Sequence, residues 1–272
     1  NKSGLELGTG YGKLHVPEKL LEKMKRARSV KILFTDLDNT LLTTQKTVSE
    51  TMRAKLLELI QNGGSLVLAS GRPVKSILEV LETLDIKDAV LQMHKTGGDT
   101  AGGIYATAYN GAVLYDCLAD KTIAQHSVSI DAAQELFDRA HERGIHIQTY
   151  ADAHVVSIAD DEAIRYYTQF IHMPYVVGNH LETELSKEPF KVLTIDLNSR
   201  EHLEAFRKEI EASALGAKLT CAFSNNYYLE FFNKNAGKGN ALVNLCRALN
   251  ILEKNAVAVG DEENDISMIE AA

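Results

Sequence analysis

The chain has 272 residues, more than the commonest size of one domain, and its composition of 45% hydrophobic and 24% charged residues is that of an ordinary soluble globular protein. No apolar run approaches the roughly 18 residues of a membrane span, so the sequence argues against a membrane partner. The formal net charge of -8 repels nucleic-acid phosphates, which argues against a polynucleotide partner.

The first predicted element is a short amphipathic helix over 17–28, within an N-terminal extension over 1–29. From Val30 onward, strands alternate with helices. This alternation predicts a parallel sheet with helices on both faces. The predicted elements are a strand over 30–35, a helix at about 48–62, a strand over 65–69, a helix at about 74–84 and an apolar run over 89–93, taken as the next strand.

A Gly-rich loop is predicted over 94–103, followed by a hairpin over 105–115 with a tight turn at Asn110-Gly111. The long stretch after it predicts an α+β insert with its own sheet, built from helix 131–143, strand 145–150, helix 161–172, strand 191–197 and helix 200–213. A strand over 227–232, a helix over 238–250 and a strand over 256–260 then restore the first pattern.

The sequence therefore predicts an α/β fold with two parts. A Rossmann-like parallel-sheet core would span 30–112 and 223–272. An inserted α+β cap domain, which would select the substrate, would span 113–222.

Three cysteines, Cys117, Cys221 and Cys246, are widely separated and odd in number. This spacing is typical neither of a disulfide framework nor of a zinc site, and it points to a reducing compartment. The first residues carry scattered charges and no apolar segment of the kind that a signal peptide needs. We therefore expect a cytoplasmic protein.

Polar residues follow the ends of several predicted strands or begin a predicted helix. In an open α/β sheet the carboxyl ends of the strands line one crevice, where ligands bind. We therefore expect these residues to meet in space: Asp36, Asp38, Ser70, Lys238, Asp261, Asn264 and Asp265.

The carboxylates of this set predict a metal site. Two carboxylates as close in sequence as Asp36 and Asp38 repel each other unless a cation lies between them or one is protonated. Asp261 and Asp265 would add negative charge to the same crevice. Hard carboxylate oxygens without His or Cys nearby suit Mg²⁺ rather than zinc.

The remaining residues of the set predict a phosphate site. Lys238 supplies a fixed positive charge, as a phosphate dianion requires. Ser70 adds a hydroxyl, and Ser70-Gly71 can offer backbone N–H groups ahead of a helix. Phosphate, Mg²⁺ and carboxylates together favour phosphoryl transfer, in which positioning and charge neutralisation dominate.

These segments resemble the four motifs of the haloacid dehalogenase-like superfamily. Phe34-Thr-Asp36-Leu-Asp38-Asn-Thr40 is similar to its Asp-x-Asp-Gly-Thr motif, and Ser70-Gly71-Arg72 to its second motif. Lys238-Gly239 and Gly260-Asp261-Glu-Glu-Asn264-Asp265 resemble the third and fourth. The long insert, and Asn110-Gly111-Ala112 ahead of it, are similar to the Cof-type sugar-phosphatase subgroup.

The resemblance implies a Mg²⁺-dependent phosphatase that acts on a small phosphorylated molecule. Asp36 would be the nucleophile and a Mg²⁺ ligand. Asp38 would protonate the leaving group, then activate water, and would give Mg²⁺ its backbone carbonyl. Asp261 would be the third protein ligand, with Asp265 behind it or ligating through water. The phosphoryl oxygens would be held by the backbone of Leu37 and by Ser70, Gly71, Lys238 and Asn264.

The sequence departs from the family pattern at two places. Asn39 replaces the usual Gly before Thr40, and because Asn tolerates a positive φ we expect the turn to survive. The family adds another strand and helix beyond the position of Ala272, so either the chain is truncated or the last part of the sheet is missing.

Two other functions remain open at this point. A phosphomutase on the same scaffold would need cap arginines that face the core, and the candidates, which we expect mostly to face solvent, are Arg139, Arg143, Arg165, Arg200 and Arg207. A non-catalytic sugar-phosphate binding protein would have no need of both Asp36 and Asp38. Cap side chains that could select the leaving group are Tyr150, His154 and Tyr175; the compound itself stays open.

Overall fold

The computed structural model describes residues 30–97, 102–169, 171 and 173–272, together with the backbone of Glu6–Gly8 and Lys13–His15. The helix predicted over 17–28 lies outside these residues, as do positions 98–101 of the predicted Gly-rich loop.

The described residues form strands and helices in alternation over most of the chain. The strands are β1 (Glu6–Gly8), β2 (Lys13–His15), β3 (Ile32–Asp36), β4 (Ser65–Ala69), β5 (Ile104–Ala108), β6 (Val113–Asp116), β7 (Lys121–Gln125), β8 (His146–Tyr150), β9 (Val155–Ser157), β10 (Tyr175–Val177), β11 (Lys191–Ile195), β12 (Leu219–Asn225), β13 (Tyr228–Asn233) and β14 (Ala256–Val259). The helices are α1 (Glu50–Gln61), α2 (Val74–Leu84), α3 (Lys87–Gly97), α4 (Ile130–Glu142), α5 (Glu162–Thr168), α6 (Leu181–Glu184), α7 (Arg200–Ala212), α8 (Lys238–Ala248) and α9 (Ile266–Ala271).

The first large sheet, which we call the core sheet, has the strand order β14-β3-β4-β5-β6-β7. Strands β14, β3, β4 and β5 are parallel, and β5, β6 and β7 form an antiparallel meander. All of β4 is buried, because Leu66 and Leu68 pack with α1 and α2 on one face, and Val67 and Ala69 pack with α8 and α9 on the other. The carboxyl ends of β3, β4 and β14 therefore lie along one edge of a sheet covered on both faces.

The second large sheet has the order β10-β9-β8-β11-β13-β12 and is mostly antiparallel. We call residues 130–233, which contain it, the cap. Helices α4 and α7 cover one face of this sheet through residues such as Phe137 and Phe206. The opposite face carries Lys191 and Glu230 and is turned toward the core, where both side chains make hydrogen bonds.

The predicted α/β fold class is confirmed, but two element assignments are wrong. Residues 89–93 lie in helix α3 rather than in a strand. Ile86 and Val90 are buried four residues apart, which is helical spacing, and a short apolar run does not by itself separate strand from helix. Helix α3 also takes the first residues of the predicted loop over 94–103.

The second error concerns which sheet a strand joins. Strands β6 and β7 pair within the core sheet, whereas β13 pairs with β11 and β12 pairs with β13 in the cap sheet. The predicted boundary after 112 assigns β6 and β7 to the cap, and the one after 222 assigns β13 and the end of β12 to the core. Pairing depends on long-range contacts that strand patterns do not specify. The two-domain division itself stays a prediction. Sheet membership would place its boundaries in the two crossings of the chain, 126–129 and 234–237.

Two further expectations concern the compartment. Cys117, Cys221 and Cys246 are all buried and free, as the predicted absence of a disulfide framework requires. Among the described residues, no helix combines the length and the apolar character that crossing a bilayer would need. The cytoplasmic location stays a prediction.

Candidate active site

Asp36 ends β3 and forms the centre of a nearly buried charged cluster. Its side chain accepts a hydrogen bond from Lys238 Nζ at 2.6 Å, and the same ammonium donates to Asp265 Oδ1 at 2.5 Å. Lys238 is 1% exposed and lies at the first turn of α8, so the start of that helix carries its charge into the core. The three side chains come from the ends of β3 and β14 and from α8, as the sequence predicted.

The charges of this cluster change its ionisation. Burial raises the pKa of Asp36 to about 6, although the positive charge of Lys238 opposes the rise. Burial alone would lower the pKa of Lys238, but Asp36 and Asp265 outweigh it and the pKa lies above its usual value. Lys238 is therefore a permanent cation, while Asp36 in the metal-free protein is half protonated at about pH 6.

Asp38 lies two residues further on and faces a different set of partners. Arg72 binds its carboxylate through two hydrogen bonds, Nε to Oδ2 at 2.9 Å and Nη2 to Oδ1 at 2.6 Å. Lys46 Nζ adds a third at 2.6 Å. Burial alone would raise the pKa of Asp38, but these bonds and charges lower it below its usual value. Asn39, which follows, has a φ of 60°, so the expected positive-φ turn is confirmed.

The turn after β14 carries Asp261, Asn264 and Asp265. Asp265 Oδ2 accepts the backbone N–H groups of Asp261 and Glu262, each at 3.1 Å, and so holds the turn closed. A Cβ on Gly260 would lie 2.3 Å from Asp265 Cγ, so this close approach requires glycine. Asp261 Oδ1 accepts a hydrogen bond from the Thr40 hydroxyl at 2.8 Å, which joins this turn to the loop after β3.

The segment after β4 lies beside the hairpin turn between β5 and β6. The Ser70 carbonyl accepts the backbone N–H of Asn110 at 3.0 Å, and the Ser70 hydroxyl accepts the N–H of Arg72 at 3.2 Å. Asn110 Oδ1 accepts Asn264 Nδ2 at 3.0 Å. Ser70, Gly71 and Asn264 thus lie together with Asp36 around one cavity.

Leu37, between the two aspartates, begins a turn of the backbone that is closed by a hydrogen bond. Its carbonyl accepts the N–H of Leu42 at 2.8 Å, and its side chain is fully buried. Every residue that the sequence assigned to the site is therefore near the carboxyl edge of the core sheet. The role of each residue stays a prediction.

The carboxylates can be tested as metal ligands by their donor chemistry. One oxygen from each of Asp36, Asp261 and Asp265 lies within 4.8 Å of the other two. Three hard oxygen donors at such spacing suit Mg²⁺. Asp265 has both oxygens engaged, by Lys238 and by two N–H groups, so it suits a supporting role. The carboxylate of Asp38 is not in this group, and the predicted ligand there is its backbone carbonyl.

A cavity of about 490 Å³ lies between the core and the cap. The core residues that form its floor are Asp36, Asp38, Asn39, Lys46, Ser70, Gly71, Arg72, Glu262 and Asn264. Its cap side is formed by Tyr166, Tyr167, Gln169, Ile171, Lys191, Ser224, Asn225, Tyr228 and Glu230. Of the side chains suggested as selectors, Tyr150, His154 and Tyr175 do not line it. Tyr150 is buried with its hydroxyl bonded to that of Tyr167, and Tyr175 donates to Asp160 at 2.8 Å.

The cap arginines are engaged elsewhere. Each of the five forms an ion pair with a carboxylate, and within the described part of the chain none lines the cavity: Arg139 and Arg143 pair with Glu209, Arg165 with Asp160, Arg200 with Glu204, and Arg207 with Glu211 and Glu263.

Sequence reasoning missed Lys46, Lys191 and Glu230 as members of the cavity wall, and it gave Arg72 no role. Glu230 carried a signal, because it interrupts the apolar run over 227–232 of a strand that proves to be buried. A charged residue at such a position needs a partner, and Lys191 at the start of β11 supplies it at 2.8 Å. Lys46 had no signal, since a lysine in a polar loop is usually a surface residue.

The comparisons with known proteins agree with this geometry. A model of the haloacid dehalogenase-like hydrolase family matches residues 33–272. Phosphatase YwpJ of Bacillus subtilis is 28% identical over 257 residues, which is 89% of this chain and 87% of the relative. Another B. subtilis protein, 5-amino-6-(5-phospho-D-ribitylamino)uracil phosphatase YwtE, is 22% identical over 267 residues, 89% of this chain and 85% of the relative. The crystal structure of a haloacid dehalogenase-like hydrolase from Bacteroides thetaiotaomicron is similar with a TM-score of 0.72 and 24% identity, over 89% of this chain and 85% of that one, which shows the fold.

Proposed function

We propose that this chain, which belongs to the haloacid dehalogenase-like hydrolases and is a phosphatase of small phosphorylated substrates, requires Mg²⁺ and carries the phosphoryl group covalently on Asp36. The observation that supports the proposal is the position of Asp36. It ends β3 at the floor of the cavity, beside a buried cation and within reach of two further carboxylates.

Asp36, Asp261 and the backbone carbonyl of Asp38 would hold the ion, with Asp265 supporting them. The bound Mg²⁺ would neutralise charge on the phosphate and on the carboxylates. Lys238 adds its own positive charge beside Asp36 and Asp265. With this charge in place, a carboxylate oxygen of Asp36 can approach a phosphate dianion without prohibitive repulsion.

Two bonds exchange in each half of the proposed reaction. In the first half, Asp36 oxygen bonds to phosphorus, the ester P–O bond breaks, and Asp38 gives its proton to the leaving oxygen. In the second half, Asp38 takes a proton from water, the water oxygen bonds to phosphorus, and Asp36 is released with free phosphate.

The contacts of Asp38 set a condition on this scheme. Arg72 and Lys46 keep its pKa low, which favours the ionised form that acts as a base on water. A general acid must instead carry a proton. We infer that substrate binding exchanges at least one of these contacts, because Arg72 and Lys46 also line the cavity and can turn to a phosphate.

The cap side of the cavity supports a neutral leaving group of moderate size. Its wall offers the rings of Tyr167 and Tyr228 and the polar groups of Ser224 and Asn225, while Lys191 is paired with Glu230. A cavity of about 490 Å³ suits a sugar or a small cofactor. The relative named for a ribitylamino-uracil phosphate, a polyol joined to a ring, is consistent with such a substrate.

The phosphomutase alternative loses its main support, because a bisphosphate needs a second cationic site and the cap arginines are paired outside the cavity. Release of inorganic phosphate from a panel of sugar and cofactor phosphates would test the proposal. We expect metal-dependent release by the wild type and none by Asp36→Asn. Turnover by Asp36→Asn near the wild-type rate, or transfer within one sugar only when a bisphosphate is added, would contradict it.

A further inference from the structure

Two cap side chains form a buried ion pair where the cap contacts the core, beside the residues proposed to bind phosphate. Lys191 of β11 and Glu230 of β13 are 2% and 3% exposed, and Lys191 Nζ lies 2.8 Å from Glu230 Oε2. Leu193 is the direct partner of Glu230 across the two strands, so Lys191 and Glu230 are diagonal neighbours on one face of the cap sheet. We call them the Lys191–Glu230 pair.

Each member of the pair also bonds to the core. Lys191 Nζ donates to the carbonyl oxygen of Gly71 at 2.8 Å. Glu230 Oε2 accepts Asn110 Nδ2 at 2.6 Å. Asn110 in turn accepts the side-chain amide of Asn264 at 3.0 Å. Through these bonds the pair is connected to both the segment after β4 and the turn after β14.

The side chains around Gly71 are closely packed where the cap contacts the core. A Cβ placed on Gly71 would lie 3.1 Å from Asn110 Oδ1 and 3.4 Å from either carboxylate oxygen of Glu230. Glu230 Oε1 accepts a further bond from the Ser224 hydroxyl at 2.6 Å. The carboxylate therefore has donors on both oxygens, which a buried ion pair requires if it is to offset its desolvation.

A buried ion pair is seldom the most stable solution for a protein interior, since apolar residues of similar volume often serve stability equally well. The hydrogen bonds that the Lys191–Glu230 pair makes to the core indicate a role other than stability. Lys191 does not offer a free charge to a leaving group, because it is almost fully covered and is held by Glu230 and Gly71.

We propose that the Lys191–Glu230 pair positions Gly71 and Asn264 for binding of the transferring phosphoryl group. The phosphate site is then complete only while the cap is docked on the core. This inference rests on the proposed function, in which those two residues hold phosphoryl oxygens. Both members of the pair are positioning residues, because they act through Gly71 and through Asn110 rather than on the substrate.

The test uses inorganic phosphate, which has no leaving group. Lys191→Met removes the bond to Gly71 while keeping a side chain of similar length. In the presence of Mg²⁺ we expect it to weaken inorganic phosphate binding, measured by calorimetry and as a competitive inhibition constant. The expected loss is about tenfold to a hundredfold, the range of a lost hydrogen bond to a charged group. Activity on p-nitrophenyl phosphate should fall with it. Unchanged phosphate affinity, with losses only on substrates that have large leaving groups, would overturn the proposal.

Two further variants separate positioning from general damage. Lys191→Met/Glu230→Gln leaves no unpaired buried charge but still lacks the bond to Gly71, so phosphate binding should stay weak. Recovery of wild-type affinity in this double variant would overturn the proposal, because the unpaired carboxylate would then explain the single variant. Arg139→Met, which removes the ion pairs of Arg139 with Glu135 and Glu209 within the cap, should leave phosphate affinity unchanged. A wild-type protein that neither binds inorganic phosphate nor releases it from p-nitrophenyl phosphate would refute the proposed function, and the inference with it.

Discussion

Replacing Asp36 with Asn should stabilise the metal-free protein even though it removes the proposed nucleophile. Burial raises the pKa of Asp36 from 3.8 to about 6, against the attraction of Lys238. A folded pKa above the unfolded value means that ionisation of Asp36 favours the unfolded chain. The stability that this group contributes is therefore fully present below pH 3.8 and is lost as the pH rises through about 6.

The size of the effect follows from the difference between the two pKa values. At 1.36 kcal/mol per pH unit, a difference of about 2 units corresponds to about 3 kcal/mol of unfolding free energy above pH 6. Asn has the shape of the protonated acid and carries no charge, so it avoids this loss. For a chain of this length each kcal/mol shifts the melting temperature by roughly 2–4 °C, so the variant should melt about 6–12 °C higher at pH 8.

The assay is thermal unfolding of both proteins in EDTA, followed by circular dichroism at pH 8 and pH 5. The gain should shrink to about half at pH 5, because Asp36 in the wild type is then largely protonated. Asp38→Asn is a matched control of opposite sign. The pKa of Asp38 is lowered by Arg72 and Lys46, so its neutralisation should destabilise the protein at pH 8. Melting of Asp36→Asn at or below the wild-type temperature at pH 8, or an equal gain at both pH values, would refute the reasoning.

Three further predictions concern activity and local backbone. Asp38→Asn should slow turnover by about a hundredfold to ten-thousandfold, the usual effect of a lost general acid–base. When its reaction with p-nitrophenyl phosphate is quenched with acid, mass spectrometry should find a phosphoryl adduct on Asp36 rather than on a Ser or His. Removal of metal by EDTA should abolish phosphate release and added Mg²⁺ should restore it; full turnover in excess EDTA would contradict the metal site. Gly111→Ala should lower the free energy of unfolding by more than the roughly 1–3 kcal/mol of a strained backbone, because a Cβ at its φ of 87° would also lie 2.3 Å from the Gly237 carbonyl oxygen. Gly144→Ala, at a φ of 65° with no atom near the added Cβ, should lose only the backbone strain energy. Equal melting temperatures of the two variants would contradict this.

The floor of the site could be predicted from the sequence because it depends on local patterns. Each apolar strand ends at a polar residue, and parallel strands bring such ends to one edge regardless of their distance in sequence. That rule was enough to place Asp36 near Asp261, whose loops are joined through Thr40. The positive φ of Asn39 was predictable for the same reason, since it depends on one residue type in one turn.

The cap side of the cavity could not be predicted, because it depends on pairing between strands that are distant in sequence. Lys191 and Glu230 come together only when β11 and β13 pair in one register, and a shift of one residue would place Glu230 on the helix-covered face. The same kind of long-range choice decided that β13 joins the cap sheet. The helix over 87–97 was missed for a different reason, since its apolar positions fit either period over so short a run.

The pairing of β14 with β3 has a consequence for the order in which the molecule assembles. Ile32 pairs with Ala256, so β3 acquires one of its two neighbours from a strand that follows the whole cap in sequence. The cap strands β8–β13 are contiguous in sequence and leave the ribosome before β14 does. We expect a nascent chain to form its cap before its core sheet is complete, because β3 lacks one of its neighbours until β14 emerges. Asp36 and Lys238 can meet only after the cap has been synthesised, so phosphatase activity of a nascent chain would require that the cap has already emerged.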